Sequence, residues 1–505
     1  MGISVVGGST GTAGKTLRVQ TFTTEGANTF TLPSGYGPDN PLAVELLLVG
    51  AGGGAGAGNY QNTTDSTLAG AGGGGGVKKL NISITENMTA HVGYRGYGGR
   101  GPSTYSFGAD SAMYVGGNGG YTYFGNSTPK NLFLNPQFIA HSNYTAESYV
   151  ISNFDKTSNQ TFDAAISGNI AYNGSWTSTS QYRRSQPYSV KPSTNYCFSI
   201  YMRTPISSTA RVEIQWFTSA SVIISTETGS SISTPANTWA RVSVGGTSPA
   251  NAAFCTFRLR QVGTATGDCY ISNAMFEEGV TTPSTYVDGA TAGHSWAGHP
   301  AGSVTISNSD AMYVASGGGG GGAIFNGSTS WSSAYWNLGF PGASSGGGAM
   351  TNVSSTQSLT YGGSGGGAGG HATQKKDNYW SYSTSGASLR ADNKSPYFNT
   401  LAENGYGALG QGFSGAGSSI SPDITLPGPG IDGYGAGGQS QMWTLNGTPR
   451  EMFYFESEET MYSIINAPSN TGNGGSVRWM RLDSTFYLCP GGNGGSGLIV
   501  VKYWE

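Results

Sequence analysis

Aromatic side chains that stand beside charged and polar ones are the residues of this chain best suited to chemistry. Sugar binding needs exposed aromatic rings that stack on the C–H face of a pyranose, with amides and charged groups beside them for the hydroxyls. In the middle of the chain, six residues meet this description: Trp176, Tyr182, Arg183, Tyr188, Trp216 and Trp239. Further along, Tyr379 and Trp380 lie in a predicted loop, where an exposed aromatic patch would mark a contact surface.

These candidates differ in the local structure that their sequence predicts. Trp176 and Tyr182 belong to the stretch NGSWTSTSQYRR, whose small and polar residues are typical of a loop. Trp216 and Trp239 lie in alternating runs that predict strands. For these two residues, a role in the core therefore competes with a role in binding, and the sequence leaves both roles open.

Catalytic and metal-binding patterns give no comparable signal. His294 and His299 lie close together in sequence, but without the further ligands that a metal site needs. The acidic stretch 451–459 is typical of a solvated face rather than of paired glycosidase carboxylates. The chain contains many matches to the glycine pattern of nucleotide-binding loops, but a chain this rich in glycine produces them by chance. No helix is predicted after them, and a nucleotide-binding loop needs one. We therefore predict no catalytic residue, no metal site, no cofactor and no enzymatic activity.

The composition is dominated by glycine and poor in charge. Glycine accounts for 84 of 505 residues, more than twice its usual share of about 7%. Charged residues make up 10% and the net charge is −3, so the chain offers no basic surface for nucleic acid. The longest apolar run, at residues 42–49, is too short to span a bilayer. An aromatic content of 12% argues against a disordered chain.

The residue pattern predicts an all-β fold. Short runs rich in β-branched and aromatic residues recur between glycine, proline and asparagine, and no long stretch has helical periodicity. The run VKKLNISITENMTAHVGYRG (77–96) alternates well enough to predict a hairpin. The final LIVVKY (498–503) is apolar enough to need a partner, which we predict to be an early strand such as LAVELLLV (42–49).

Glycine density also divides the chain into parts. Residues 131–288 hold only 8 of the glycines, and a shift of this size marks a domain boundary. A strand-then-glycine unit, DSAMYVGGNGG and later DAMYVASGGGGGG, stands on both sides of this segment and indicates an insertion. We predict four parts in chain order: an N-terminal docking arm (1–16), a first glycine-rich β part (17–130), an inserted β-sandwich or jelly roll (131–300) and a second glycine-rich β part (301–505).

The glycine runs themselves, such as 50–58 and 317–322, admit two interpretations. They are flexible linkers, or they are packed polyglycine in which segments without Cβ atoms lie side by side and pair their backbone N–H and C=O groups. We favour packing because the runs adjoin predicted strands and aromatic residues stand at their ends. Such packing against several neighbours does not require a sequence period of three.

The four cysteines fit neither a zinc site nor a dense disulfide framework. We expect buried free thiols, with a bridge between Cys255 and Cys269 on neighbouring strands as the alternative.

Taken together, these motifs resemble a known class of virion proteins. FTLPSG, GAGGGAGAG, GGNGG and the final GGNGGSGLIVVKY resemble the glycine-rich domain of tailed-bacteriophage tail proteins. NLFLNPQF, VKPSTNYCFSIYMRT, ANTWARVSV and YISNAMFEEG are similar to the carbohydrate-binding-module-like jelly rolls of phage minor tail proteins. TYVDGATAGHSWAGHP (285–300) resembles a closing motif common in those proteins.

The resemblance implies a non-enzymatic component of a phage tail tip, part of the virion and acting outside the host cell. Its partners would be other phage tail proteins, further copies of itself in a homotrimer, and a host cell-surface glycan bound by the jelly roll. Two other functions stay open. The first is a purely structural minor tail protein whose jelly roll binds other tail proteins. The second is a polysaccharide-degrading enzyme similar to a tailspike.

Overall fold

The computed structural model describes most of residues 15–134 and 171–321 and shorter parts of the chain beyond them. In full, the described residues are 3–4, 15–57, 67–99, 115–134, 136, 171–176, 182–204, 207–262, 267–298, 302–321, 342–343, 346, 350–351, 359–361, 373–375, 416–417, 424–426, 430–438, 442–444, 453–454, 465–476, 480–481, 487–488 and 491–505. This part of the chain is all-β, as predicted. It contains no helix with the length and apolar character needed to cross a bilayer.

The strands within the described residues fall into three groups along the chain. The first group is β1 (Ile3–Ser4), β2 (Leu17–Phe22), β3 (Gly26–Phe30), β4 (Leu42–Val49), β5 (Thr67–Leu68), β6 (Val77–Ile84), β7 (Met88–Val92) and β8 (Thr122–Gly125). The second is β9 (Ala171–Trp176), β10 (Tyr182–Arg184), β11 (Tyr188–Ser189), β12 (Asn195–Arg203), β13 (Ser208–Phe217), β14 (Ile223–Thr228), β15 (Ile232–Thr234), β16 (Ala240–Thr247), β17 (Phe254–Val262) and β18 (Gly267–Glu278). The third is β19 (His294–Trp296), β20 (Thr305–Ser307), β21 (Met312–Ala315), β22 (Met350–Thr351), β23 (Leu359–Tyr361), β24 (Thr373–Lys375), β25 (Ala416–Gly417), β26 (Ile424–Leu426), β27 (Met442–Thr444), β28 (Phe453–Tyr454), β29 (Met480–Arg481), β30 (Tyr487–Leu488) and β31 (Leu498–Trp504).

Two sheets form a sandwich at the base of the glycine-rich part. One has the order β1-β2-β31-β4-β6 and the other the order β21-β8-β7-β3. Strand β4 alternates between buried and exposed residues, so that Leu42, Val44 and Leu46 face inward. They share one apolar core with Phe30 and Phe124 of the second sheet.

The last strand closes this sandwich as the sequence predicts. Strand β31 pairs antiparallel with β4, with Ile499 opposite Leu48 and Val501 opposite Leu46. The predicted hairpin at residues 77–96 is wrong. Strand β6 pairs with β4, whereas β7 pairs with β3 and β8 in the other sheet. The alternating pattern of this stretch correctly predicts two half-buried strands. The two strands belong to opposite layers, however, and do not pair with each other.

Seven glycine-rich segments of the described chain stand together at one end of the sandwich and form what we call the glycine bundle. Six of them directly follow or precede a sandwich strand, and the seventh is 472–476. The segments are 50–57, 70–76, 93–99, 116–120, 316–321, 472–476 and 491–497. The sandwich strands therefore fix where the glycine segments begin and how they are spaced.

Segment 50–57 lies at the centre of the bundle and donates its N–H groups in three rows, at O···N distances of 2.8–3.1 Å. Within each row the donors are three residues apart, which is the period of an extended threefold helix. Each row serves a different neighbour: Gly50, Gly53 and Gly56 donate to segment 70–76, Ala51 and Gly54 to segment 116–120, and Gly52 and Ala55 to segment 491–497.

The carbonyl groups of the central segment serve the three remaining neighbours. Segments 316–321, 93–99 and 472–476 each donate N–H groups to it. The six outer segments also bond to one another around the centre, in the order 70–76, 316–321, 116–120, 93–99, 491–497 and 472–476. The prediction of packed polyglycine is confirmed for these segments. The sequence has no period of three, as expected. The hydrogen bonds do, since every third residue of the central segment donates to the same neighbour.

The close approach of these backbones explains the need for glycine. A Cβ atom on Gly53 would lie 2.1 Å from the carbonyl oxygen of Gly319, and one on Gly72 would lie 1.9 Å from that of Gly53. Both distances are far inside van der Waals contact. The central segment accepts methyl groups at Ala51 and Ala55, which are fully buried.

Asparagine occupies matching places in three outer segments. The side-chain oxygen of Asn118 accepts a hydrogen bond from the N–H of Gly320 at 2.9 Å. In the same way Asn493 accepts from Gly98 at 2.8 Å. Asn473 accepts from the N–H of residue 436 at 2.9 Å. In each case the amide oxygen takes the place of a main-chain carbonyl as the acceptor of a backbone N–H.

A second sandwich forms the middle of the chain, and its described strands lie within residues 171–278. One sheet has the order β10-β17-β13-β14, with β11 on β17 and β15 on β13, and the other has the order β16-β12-β18-β9. The rings of Phe198 and Phe257, one from each sheet, stack with centroids 4.0 Å apart. Its core continues into the first sandwich, because Tyr123 of β8 and Val314 of β21 belong to the same buried cluster. We call the first sandwich, at the base of the glycine bundle, the basal sandwich, and this sandwich and the bundle together the body.

A buried polar cluster lies where the two sandwiches meet. The ring of His91 stacks on that of Tyr123, with centroids 4.9 Å apart. Tyr121 donates a hydrogen bond to Glu278 at 2.8 Å, and Glu278 pairs with Lys191. Burial, together with the positive charge of Lys191, holds the pKa of His91 well below its usual range.

Replacing a bundle glycine by alanine should destabilise the whole body. We expect Gly53→Ala to lower the free energy of unfolding by about 1–3 kcal/mol or more, because its methyl group overlaps the backbone of residue 319. Urea denaturation of the full chain measures the effect. Gly37→Ala is the matched control, since its Cβ would meet nothing within 4 Å. Equal midpoints for the two variants would show that the segments are not tightly packed.

The buried His91 should make the fold sensitive to acid. The side chain is neutral in the folded protein, whereas the unfolded chain takes up a proton near pH ~6.5. Its contribution to stability is thus present above that pH and is lost as the pH falls, by up to about 1.4 kcal/mol per pH unit. Urea denaturation between pH 7.5 and 5 should give a shallower pH dependence for His91→Phe than for the wild type. Parallel curves would contradict this assignment.

Candidate functional site on the second sandwich

Two residues that the sequence offers as sugar contacts belong to the core. Trp216 is completely buried, and Tyr188 is 5% exposed. Trp216 shares the inward face of β13 with Val212 and Ile214. Tyr188 packs against Phe133 and Phe257. Both contact predictions are wrong, because the alternation of the strands turns these rings into the sandwich.

The other candidates have different places in the chain. Trp239 is half-buried and immediately precedes β16 rather than lying within a strand. The loop predicted around residues 173–184 is wrong in part. Trp176 ends β9, opposite Gly267, and Tyr182 and Arg183 belong to β10. Tyr379 and Trp380 lie outside the described residues.

The outward face of the sheet β10-β17-β13-β14 carries a cluster of charge that the sequence analysis missed. On β13, Val212 and Ile214 face the core, so Arg211 and Glu213 lie on the opposite face. Strand β17 contributes Arg258 and Arg260 to that same face. We call these four residues the arginine face. The alternating runs ARVEIQ and FRLRQ contain the signal that could have revealed it.

Glu213 is the centre of the arginine face. Its carboxylate is 1% exposed and accepts a hydrogen bond from Nε of Arg211 at 2.9 Å, and a second nitrogen of the same guanidinium group lies 2.8 Å from the same oxygen. Arg258 contacts the other carboxylate oxygen at 2.6 Å. Arg260 lies 3.6 Å away, which is beyond hydrogen-bonding distance. One buried carboxylate thus holds three guanidinium groups together.

The edge strand β10 extends this face. In the antiparallel register, Tyr182 lies opposite Arg260 and Arg184 lies opposite Arg258. The structure therefore brings two sequence-predicted positions, Tyr182 and Arg183, into the strand next to the arginine face. An aromatic position beside guanidinium groups is the combination that sugar recognition uses.

The apolar end of the same face lies against the glycine bundle. Phe217 and Phe254 stack with centroids 4.8 Å apart, and Tyr97 of the bundle packs on Phe254. Nearby, Ser189 donates a hydrogen bond to the carbonyl of Asn118 at 2.8 Å. These contacts fix the arginine face relative to the bundle.

The cysteines contribute no bridge here. Cys197, Cys255 and Cys269 are buried thiols that form no disulfide with one another, as expected. The alternative of a bond between Cys255 and Cys269 is wrong, since β17 and β18 belong to opposite sheets. Burial raises the pKa of the Cys255 thiol well above its usual range, which keeps it unreactive. Among the described residues, no group of three or more His, Cys, Asp and Glu side chains is placed to hold a metal ion.

Removing the charge of Glu213 should destabilise the second sandwich. We expect Glu213→Gln to cost about 3–5 kcal/mol, because three guanidinium groups would lose their buried partner. Glu45→Gln is the matched control. Glu45 also pairs with a cation on a strand but is 58% exposed, so its loss should cost about 0–1 kcal/mol. Urea denaturation compares the two, and equal losses would contradict the central role of Glu213.

No family model and no curated protein matches this chain. Solved structures show weak and partial similarity. The Clostridium thermocellum endo-1,4-β-D-xylanase 10B modules CBM22-1 and GH10 match at 14% identity over 23% of each chain, with a TM-score of 0.19. Tailspike protein 4 of bacteriophage CBA120, in its enzymatically active domain, matches at 15% identity over 29% of this chain and 21% of its own, with a TM-score of 0.21.

A xylan-binding domain of type CBM 22 matches at 16% identity over 32% of this chain and 98% of its own length, with a TM-score of 0.22. The chain thus spans less than a quarter of the xylanase and tailspike structures. At these TM-scores the similarities are local overlaps of β structure and carry no information about function.

Proposed function

We propose that the protein is a non-enzymatic structural component of a phage tail tip that contacts the host cell envelope. In this proposal the glycine bundle and its basal sandwich are the structural and assembly part. The second sandwich is a glycan-binding module. The motifs shared with phage tail proteins support the first assignment, and the arginine face supports the second.

The arginine face beside β10 is the observation that carries the binding proposal. The inner faces supply the apolar core of a sandwich, and this cluster of guanidinium groups lies on the other face of its sheet. Arg211 and Arg260 expose 26% and 34% of their side chains, which leaves them accessible to a ligand. Guanidinium groups supply hydrogen-bond donors that suit sugar hydroxyls, and the register places Tyr182, a residue type that can stack on a sugar, opposite Arg260.

The glycine bundle suits a scaffold that must present such a face at a fixed position. Its central segment is held by main-chain hydrogen bonds to six neighbours, and the second sandwich is bonded to the bundle through residues 118 and 189. We propose assembly as a homotrimer with other tail proteins, so that several weak contacts act together through avidity.

A second function has one observation in its favour. Val222 and Ile223, at the turn between β13 and β14, are 55% and 40% exposed. Apolar side chains at this edge of the sheet would suit a contact with another tail protein. In that case the second sandwich is an assembly module and binds no sugar.

Glycan-array and envelope-binding measurements with the full chain test the proposal. We expect Tyr182→Ala to weaken binding about tenfold or more, because a stacked aromatic ring typically contributes more than 1 kcal/mol to a contact. Val222→Ser, on the opposite edge of the same sheet, is the control and should bind like the wild type.

The other outcomes are equally clear. A chain that binds tail proteins through Val222 but no envelope glycan would support the assembly function instead. Release of sugar fragments from the envelope by the purified chain would contradict the non-enzymatic part of the proposal.

A further inference from the structure

We infer that the ligand of the arginine face is an anionic glycan, whose carboxylate or phosphate group binds between Arg260 and Arg211. This inference rests on the proposed function, since it names the chemical class of the glycan. It is argued from the balance of charge, from the geometry around Glu213 and from a comparison with the other ion pairs of the protein.

The balance of charge at the arginine face is positive. Three guanidinium groups surround one carboxylate, which leaves an excess of two positive charges among the described residues. Strand β10 adds the position of Arg184 next to Arg258. This concentration stands out in a chain with 10% charged residues and a net charge of −3.

The geometry shows which groups Glu213 leaves available. Its carboxylate oxygens are engaged by Arg211 and Arg258 at hydrogen-bonding distance. Arg260, at 3.6 Å, shares the charge of Glu213 but not a hydrogen bond with it. A guanidinium group carries five N–H donors in a planar fork, which matches the two oxygens of a carboxylate or phosphate. Arg260 is one-third exposed and is therefore placed to offer that fork.

Ion pairs elsewhere in the described chain join a single cation to a single anion. Arg18 pairs with Glu505, Arg95 with Glu25 and Lys502 with Glu45, one cation for each anion. Only the arginine face, within the described residues, gathers three cations on one carboxylate. A further anion that approaches the exposed side of Arg211 and Arg260 would offset part of this excess.

The chemistry favours a charged sugar over a neutral one. Hydrogen bonds from a guanidinium group to an ionised acceptor are about twice as strong as those between neutral groups. Two sources can supply such an anion on a cell envelope: polysaccharides with uronic acids and wall polymers with phosphodiester links. Both present oxygen pairs that fit the same fork, so the test uses one probe of each kind.

Binding of matched probes to the full chain tests this inference. The probes are an oligogalacturonate and its neutral methyl ester, and a polyol-phosphate polymer and its dephosphorylated form. We expect at least one charged probe to bind about ten- to a hundredfold more tightly than its neutral counterpart. Arg260→Gln should abolish this preference, and Arg260→Lys should restore part of it, since lysine keeps the charge but lacks the fork.

Arg18→Gln is the matched control, because Arg18 is 37% exposed and pairs with a carboxylate far from the second sandwich in sequence. It should bind every probe like the wild type. The melting temperature of each variant verifies that it is folded.

The inference and the function it rests on fail in different ways. Equal binding of charged and neutral glycans, or an unchanged preference in Arg260→Gln, would overturn the inference and leave the glycan-binding function intact. Binding of single-stranded DNA as tightly as the charged glycans would also overturn it. Absence of binding to any envelope polymer would overturn the proposed function itself.

Discussion

The structure depends on one constraint: the backbone N–H groups of a buried segment must find acceptors, and for the central segment of the glycine bundle the backbones of its neighbours supply them. The N–H groups of residues 50–56 all donate to the three neighbours that run antiparallel to them. Ordering a residue costs about 1–2 kcal/mol, and a hydrogen bond contributes about 0.5–1.5 kcal/mol. The bonds alone therefore hardly offset the ordering. The apolar core of the basal sandwich supplies the remainder, because it fixes one end of most segments.

The arrangement of the glycine bundle therefore depends on the basal sandwich. Hydrophobic burial decides the order of strands in the basal sheets, and that order decides which glycine segments become neighbours. The second sandwich is added by different interactions. It contributes hydrogen bonds to the bundle at residue 118, the buried pair of Tyr121 and Glu278, and a core that continues into β8 and β21. The arginine face is consequently held by a rigid support rather than by a linker.

Sequence reasoning succeeded where a pattern has a single physical cause. The apolar final strand had to be paired, and Ile499 and Val501 indeed lie opposite residues 48 and 46. Glycine runs that adjoin strands favoured packing over flexible linkers, and the bundle segments are packed. Alternation, by contrast, shows that a strand has two faces but not which sheet it joins. The sequence therefore predicts a hairpin of β6 and β7, although these strands belong to different sheets. Alternation also does not show whether Trp216 lies on the inner or the outer face of its sheet. The cluster of Arg211, Arg258 and Arg260 around one carboxylate depends on the register between two strands that are far apart in sequence.

The pairing of β8 with β21 determines how the second sandwich is joined to the rest of the molecule. Gly125 lies opposite Met312, so the chain leaves the first sandwich and returns to it on adjacent strands. In chain terms these strands are a hairpin, and the connection between them contains the second sandwich. Alternate side chains of the pair serve different cores: Tyr123 and Val314 belong to that of the second sandwich, and Phe124 and Ala315 to that of the first. Two strands thus act as a shared wall, and a substitution on either of their faces reaches a different half of the molecule.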